Sequence, residues 1–194
     1  MTELSQKVQN LMFIETETTP NPATLKFLPG RAVMQSGTAN FTASDQAAHS
    51  PLGKRLFAVP GVTGVYLGGD FVTVTKAESE DWFALKPPVL GAIMDHYTAG
   101  EAAVENAAEG AAVPAQTSED PVVSQILELI ETRVRPAVAQ DGGDITFDSF
   151  TDGIVYLHMQ GSCAGCPSST ATLKAGIENM LKHYVPEVTE VRAV

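Results

Sequence analysis

From Ala99 to Asp120 the chain runs for 22 residues with no aromatic residue, no Leu or Ile and no positive charge. Such a stretch cannot bury enough apolar surface to offset the entropy lost on ordering. It predicts a linker, with its alanine-rich part at most transiently helical. A linker in that place forces two separate cores. The predicted organisation is a flexible tail at 1–10, an N-terminal domain at 11–99, an Ala/Glu-rich linker at 100–120 and a C-terminal domain at 121–194. With 44% hydrophobic residues overall, each domain has the apolar content for a core of its own.

The N-terminal part predicts strands at Leu11 to Thr16 and Leu25 to Leu28, separated by the turn-forming run Pro20 to Pro22. Ser50-Pro51 predicts a helix start, because Ser caps free amides and Pro needs no amide partner at the first position. That helix ends near Ala58, before Pro60. Val62 to Leu67 and Phe71 to Thr75 flank Gly68, Gly69 and Asp70, a hairpin pattern. A helix follows from Pro87 to Tyr97. The C-terminal part predicts a helix from Pro121 to Ala139, bent at Pro136, then Ile145 to Phe150 and Ile154 to Met159 around the turn Thr151 to Gly153. A helix from Pro167 to Tyr184 and a strand from Val188 to Val194 complete it. The fold class is therefore α+β: two small two-layer α/β-sandwich domains joined by a flexible linker, ββαββα and then αββαβ.

A net charge of −11 with no basic stripe excludes nucleic acid as a partner and disfavours anionic membrane surfaces. No apolar run is long enough to span a bilayer. The first residues carry neither an export signal nor an Arg-rich transit pattern, which predicts a reducing compartment.

In such a compartment the two cysteines, Cys163 and Cys166, read as metal-binding or catalytic rather than as a structural staple. They sit between a strand and a helix start. Gly161, Ala164 and Gly165 leave bare backbone beside the sulfurs, and the helix N-terminus beyond Cys166 favours the thiolate. Four readings compete. A thiol–disulfide oxidoreductase suits CxxC at a strand-to-helix junction, but αββαβ is not the thioredoxin order. Structural zinc wants four ligands from one chain, and only His158 and His183 are near in sequence, without paired spacing. An iron–sulfur cluster wants four thiolates, which two copies of this chain supply. The fourth reading is a pair of idle thiols.

The run Arg135 to Asp144 with Gly142-Gly143, a hairpin, then Gly161 to Ser168 and a helix resembles the C-terminal domain of NifU, the Nfu domain. Residues Met12 to Gly30 resemble the opening of the N-terminal domain of bacterial and mitochondrial Nfu proteins. The resemblance implies a non-enzymatic carrier or scaffold of [4Fe–4S] clusters, each bridged between two subunits by Cys163 and Cys166 of each. It implies apo iron–sulfur enzymes as recipients, an upstream assembly scaffold as source, and a homodimer when the cluster is bound. Full-length NifU carries a scaffold domain and a ferredoxin-like domain that this sequence lacks, so carriage is implied before de novo assembly. With no transit pattern, the expected location is the bacterial cytoplasm, with a mature mitochondrial form as the alternative.

Asp141 and Asp144, flanking the glycine pair, read as turn residues. Arg133 and Arg135 read as exposed helix charges, and Trp82, in Ser79-Glu-Asp-Trp82 that looks like a helix start, as a core or domain-seam residue.

Overall fold

The computed structural model describes residues 13–105, 120–165 and 167–194. The tail predicted at 1–10 and most of the predicted linker lie outside them.

Among the described residues, the N-terminal half forms β1 (Glu15–Thr18), β2 (Thr24–Leu28), β3 (Ala39–Phe41), a 3-10 turn (Gln46–His49), α1 (Pro51–Phe57), β4 (Val62–Leu67), β5 (Val72–Lys76) and α2 (Trp82–Ala99). Its strands make one antiparallel sheet in the order β1-β2-β5-β4-β3. Strand β3 was not predicted. Ala39, Asn40 and Phe41 carry no alternation of their own, and pairing with Leu67, Tyr66 and Val65 makes them a strand. The Ser50 cap is as predicted: its side chain accepts from the Gly53 amide at 2.9 Å.

The helix start read at Ser79 to Trp82 is the start of α2, which runs on through the separate start expected at Pro87. Asp81 caps it, accepting from the Phe83 amide at 2.6 Å, and Pro87 and Pro88 lie inside it. An interior proline costs about 3 kcal/mol. Leu85, Val89 and Ile93 are all buried, and each contributes about 1.5–3 kcal/mol, so the apolar face outweighs the breakers. The first residues of the predicted linker pack back onto this half. Ser50 Oγ donates to the Ala103 carbonyl at 2.6 Å, the Glu105 amide to His49 at 2.7 Å, and Arg55 pairs with Glu101 at 2.8 Å.

The C-terminal half forms α3 (Pro121–Leu129), a π-helical turn (Ile130–Val134), α4 (Arg135–Gln140), β6 (Gly143–Thr151), β7 (Ile154–Gly161), α5 (Pro167–Tyr184) and β8 (Glu190–Ala193). The bend predicted at Pro136 takes the form of this widened turn just before it. The Arg135 amide reaches back to Ile130, and Pro136 has no N–H to miss an α-helical partner. The hairpin turn has Asp152 at φ 53° and Gly153 at φ 78°, both left-handed, which matches the twist of the flanking strands. Strand β7 pairs antiparallel with β6 and parallel with β8, so α5 crosses over between β7 and β8. Its core is Ile126, Ile130, Ile145, Val155, Leu157, Leu181, Val191 and neighbours, and it includes Cys163.

Candidate functional site

The end of β7 turns back sharply at Gly161, whose φ is 60°. A Cβ there would lie 2.7 Å from the Gly142 carbonyl. At Gly143 a Cβ would collide with Cys163 Sγ. Two glycines therefore make room for one sulfur and for the chain that carries it. The Ser162 amide donates to Gly142 at 3.2 Å and its hydroxyl to the Asp141 carbonyl at 2.5 Å. The Ala164 amide closes a turn onto Gly161 at 3.1 Å, and Thr170 Oγ1 donates to the Cys163 carbonyl at 3.2 Å.

Cys163 is a free thiol, 5% exposed and packed into the C-terminal core. Burial pushes its thiol up to about 12, the nearby charges of Asp141 and Asp144 push the same way, and a hydrogen bond with Ser162 opposes them. Burial therefore opposes, at Cys163, the thiolate that bare backbone and the helix N-terminus favour. Its sulfur faces the core and Gly143, so desolvation dominates over bare backbone. Gly165 is exposed, with open space around its α-carbon. Cys166 lies outside the described residues, and with it the geometry of the pair. Among the described residues no group of three or more His, Cys, Asp and Glu side chains converges on a metal position. His158 is exposed, 3.1 Å from Asp148, and His183 stacks edge-on against Tyr184.

Arg135 corrects the exposed reading, while Asp144 stands at the entry of β6. Arg135 Nε and Nη2 each donate to an Asp144 oxygen at 2.8 Å, a planar two-point pair. Asp144 is 4% exposed and also accepts from the Ile145 amide. Its carboxylate raises the Arg135 guanidinium further above the usual range. The pair ties α4 to the start of β6 and so fixes the Gly142-Gly143 turn beneath Cys163. Arg133 lies over the Tyr184 ring at 4.8 Å. Trp82 packs on the N-terminal core, and its indole N–H donates to the Pro22 carbonyl at 3.1 Å, in agreement with the core reading.

The surroundings of the loop were not visible in the sequence. The N-terminal sheet lies against it. Asn21 Nδ2 donates to the Ala164 carbonyl at 2.9 Å, Lys26 Nζ to Gln140 at 2.9 Å and Thr73 Oγ1 to Gly142 at 2.7 Å. Tyr66 is 2% exposed; burial, then the Asp144 charge, raises its hydroxyl well above the ordinary value. A cleft of about 170 Å³ opens beside the loop, between Phe41, Gly64 and Tyr66 on one side and Met159, Ala164 and Gly165 on the other. The only sequence signal for this contact is the alternation that turns Lys26 and Thr73 away from their own core, and the same alternation describes a solvated face.

Residues 14–100 match the family described as "Scaffold protein Nfu/NifU N terminal", and residues 126–192 match the family described as "NifU-like domain". The chain is 50% identical over 184 residues to "NifU-like protein 4, mitochondrial" of Arabidopsis thaliana, covering 93% of this chain and 65% of that one. It is 47% identical over 192 residues to "NFU1 iron-sulfur cluster scaffold homolog, mitochondrial" of Drosophila virilis, covering 98% and 64%. The human protein of the same name is 48% identical, covering 94% and 72%. The chain thus spans about two thirds of the length of these relatives. They correct the expected bacterial cytoplasmic location, since all three carry a mitochondrial designation. The absence of an Arg-rich, acid-poor pattern in the first residues does not decide a compartment.

Proposed function

We propose, from the premise that the chain belongs to the Nfu family of NifU-like proteins, that it carries a labile [4Fe–4S] cluster between two of its copies and hands it to apo iron–sulfur enzymes. Cys163 and Cys166 of each copy are the ligands. The observation that carries this reading is the cysteine count: the chain has two, and a cluster of this kind is ordinarily held by four thiolates. Two copies related by a two-fold axis supply them with no further ligand.

The surrounding residues fit that cargo. Bare backbone at the exposed Gly165 allows a second copy to approach closely. Arg135 and Asp144 hold the turn under Cys163 in one place. An upstream assembly scaffold is the source of the cluster, and the chain itself makes and breaks no substrate bond. The competing reading, thiol–disulfide exchange, needs an accessible attacking sulfur, which Cys163 at 5% exposed does not supply in this arrangement; either reading requires the loop to open around it.

Anaerobic reconstitution with iron and sulfide tests the proposal. The expected product is a coloured dimer with about four irons and four sulfides, lost in Cys163→Ala and in Cys166→Ala. A colourless protein that reduces disulfides in a standard turnover assay overturns it, as does bound zinc that iron does not displace.

A further inference from the structure

We infer that the polar face of the N-terminal sheet is a docking surface for the glycine–cysteine loop of its own chain, and that the loop leaves this surface when it meets the loop of a second copy. The second clause rests on the two-copy reading above; the first does not.

Strand alternation places Thr24, Lys26, Tyr66 and Thr73 on the sheet face opposite Phe27, Val65, Val72 and Val74. In an antiparallel sheet with one face on its core, the other face is commonly solvated. Here it is not: Thr24 and Thr73 are 1% exposed, Tyr66 2% and Lys26 7%. Three hydrogen bonds from the N-terminal half land here on backbone carbonyls of the other half, those of Gln140, Gly142 and Ala164, and a fourth, from Thr38 Oγ1 at 3.5 Å, lands on the Asp144 carboxylate. What the surface recognises is mainly bare backbone. A Cβ on Gly142 would lie 3.0 Å from Thr73 Oγ1 and 3.3 Å from Lys26 Cβ, and one on Gly161 would lie 3.2 Å from the Tyr66 ring. The glycines that shape the cysteine turn are therefore also the ones the sheet touches.

These contacts flank Cys163 on both sides, at Gly161 and at Ala164. They occupy the bare backbone that a second copy needs in order to bring its own sulfurs near. On release each polar bond to a carbonyl is replaced by a bond to water, while the buried rings of Tyr66 and Phe71, which line a cleft with Pro136 and Ala139, hold the closed arrangement as the resting one.

The test uses the full-length chain and amine acylation read residue by residue by mass spectrometry. In the metal-free wild type, Lys26 is acylated about tenfold more slowly than the exposed Lys54, because reaction waits on opening. Thr73→Arg sets a long cation against Gly142 and brings Lys26 to within about twofold of Lys54. Glu17 and the Phe71 ring, which stay beside Lys26 in its own half, are present in both proteins, so the difference reports the loop alone. Thr73→Val keeps the shape and deletes one bond, giving a rise of about twofold to threefold if the Arg variant does not fold. Equal reactivity of Lys26 and Lys54 in the metal-free wild type overturns the docking, as does protection unchanged in both variants. On the reconstituted dimer, Lys26 reacts as it does in Thr73→Arg. Protection retained there overturns the mutual exclusion. A chain that takes up no cluster overturns the carrier reading, while the metal-free arm still decides the docking.

Discussion

The two halves share one architecture, a sheet backed by helices, and treat the free face of that sheet in opposite ways. In the C-terminal sheet, Ile145, Val155 and Leu157 face the core, and the other face carries the exposed pair His158 and Asp148, 3.1 Å apart. In the N-terminal sheet, Phe27, Val72 and Val74 face the core, and the other face is equally polar but buried. Apolar and polar residues alternate in both. Whether the polar side meets water or a neighbour is decided outside the strand. The N-terminal half keeps ordinary packing on the core face of its sheet, whereas the C-terminal half buries the thiol proposed to bind the cargo. Burial in the N-terminal core is stability alone; burial at the thiol, and at the sheet face that covers its loop, must be reversible.

Hydrogen exchange followed separately in α2 and in the β6–β7 hairpin can break or sharpen this contrast. The largest expected effect is Phe27→Ala, which removes a fully buried ring and destabilises the N-terminal half by about 3–5 kcal/mol. Exchange should rise in α2 and stay nearly unchanged in β6–β7; an equal rise in both would mean that the halves unfold as one unit. Next is Arg135→Met, which leaves Asp144 buried without its partner. A fully buried broken pair costs about 3–5 kcal/mol, and the partial exposure of Arg135 reduces this to about 2 kcal/mol, confined to the C-terminal half. Gly143→Ala drives a methyl into Cys163 Sγ, an overpacking cost of about 1–3 kcal/mol in the same half. It should also raise the alkylation rate of Cys163, since the sulfur must move; an unchanged rate would show that Gly143 does not hold it.

The smallest effect is a pH dependence in the N-terminal half. His96 is 1% exposed, and burial, helped by the Arg55 charge, lowers it below its ordinary value of 6.5. A lowered histidine leaves the unfolded chain binding the proton more readily, so the stability it supports is present above pH 6.5 and lost as pH falls through the folded value. Protection in α2 should decline on acidification from pH 7, and His96→Leu should flatten that decline. A decline of the same size in the variant would assign it to other groups.

Local chemistry made several elements legible. Ser50-Pro51 starts α1 because capping needs only the next three residues. Asp152-Gly153 makes the β6–β7 turn because two adjacent residues tolerate positive φ. Interior prolines misled at α2, where Leu85, Val89 and Ile93 outweigh Pro87 and Pro88. Strand β3 was illegible because its pairing with β4 is what creates it. Arg135 and Asp144 stand nine positions apart, and no periodicity announces that a helix end and a strand start close on each other. The candidate site divides the same way. Two cysteines beside glycines were readable as a close thiol pair, and their number is what the proposal of two copies rests on. The burial of Cys163 was not readable, since it depends on Gly143 meeting the sulfur from the other side of a hairpin.

Composition and short-range pattern were enough for two α+β halves and for their main elements, because caps, turns and alternation act over a few residues. Tertiary contact decided the burial of Cys163, the closure of Arg135 on Asp144 and the covering of a polar sheet face by a glycine loop. Each of those depends on groups far apart in the chain excluding water from one another, and exclusion of water is a property of the folded arrangement.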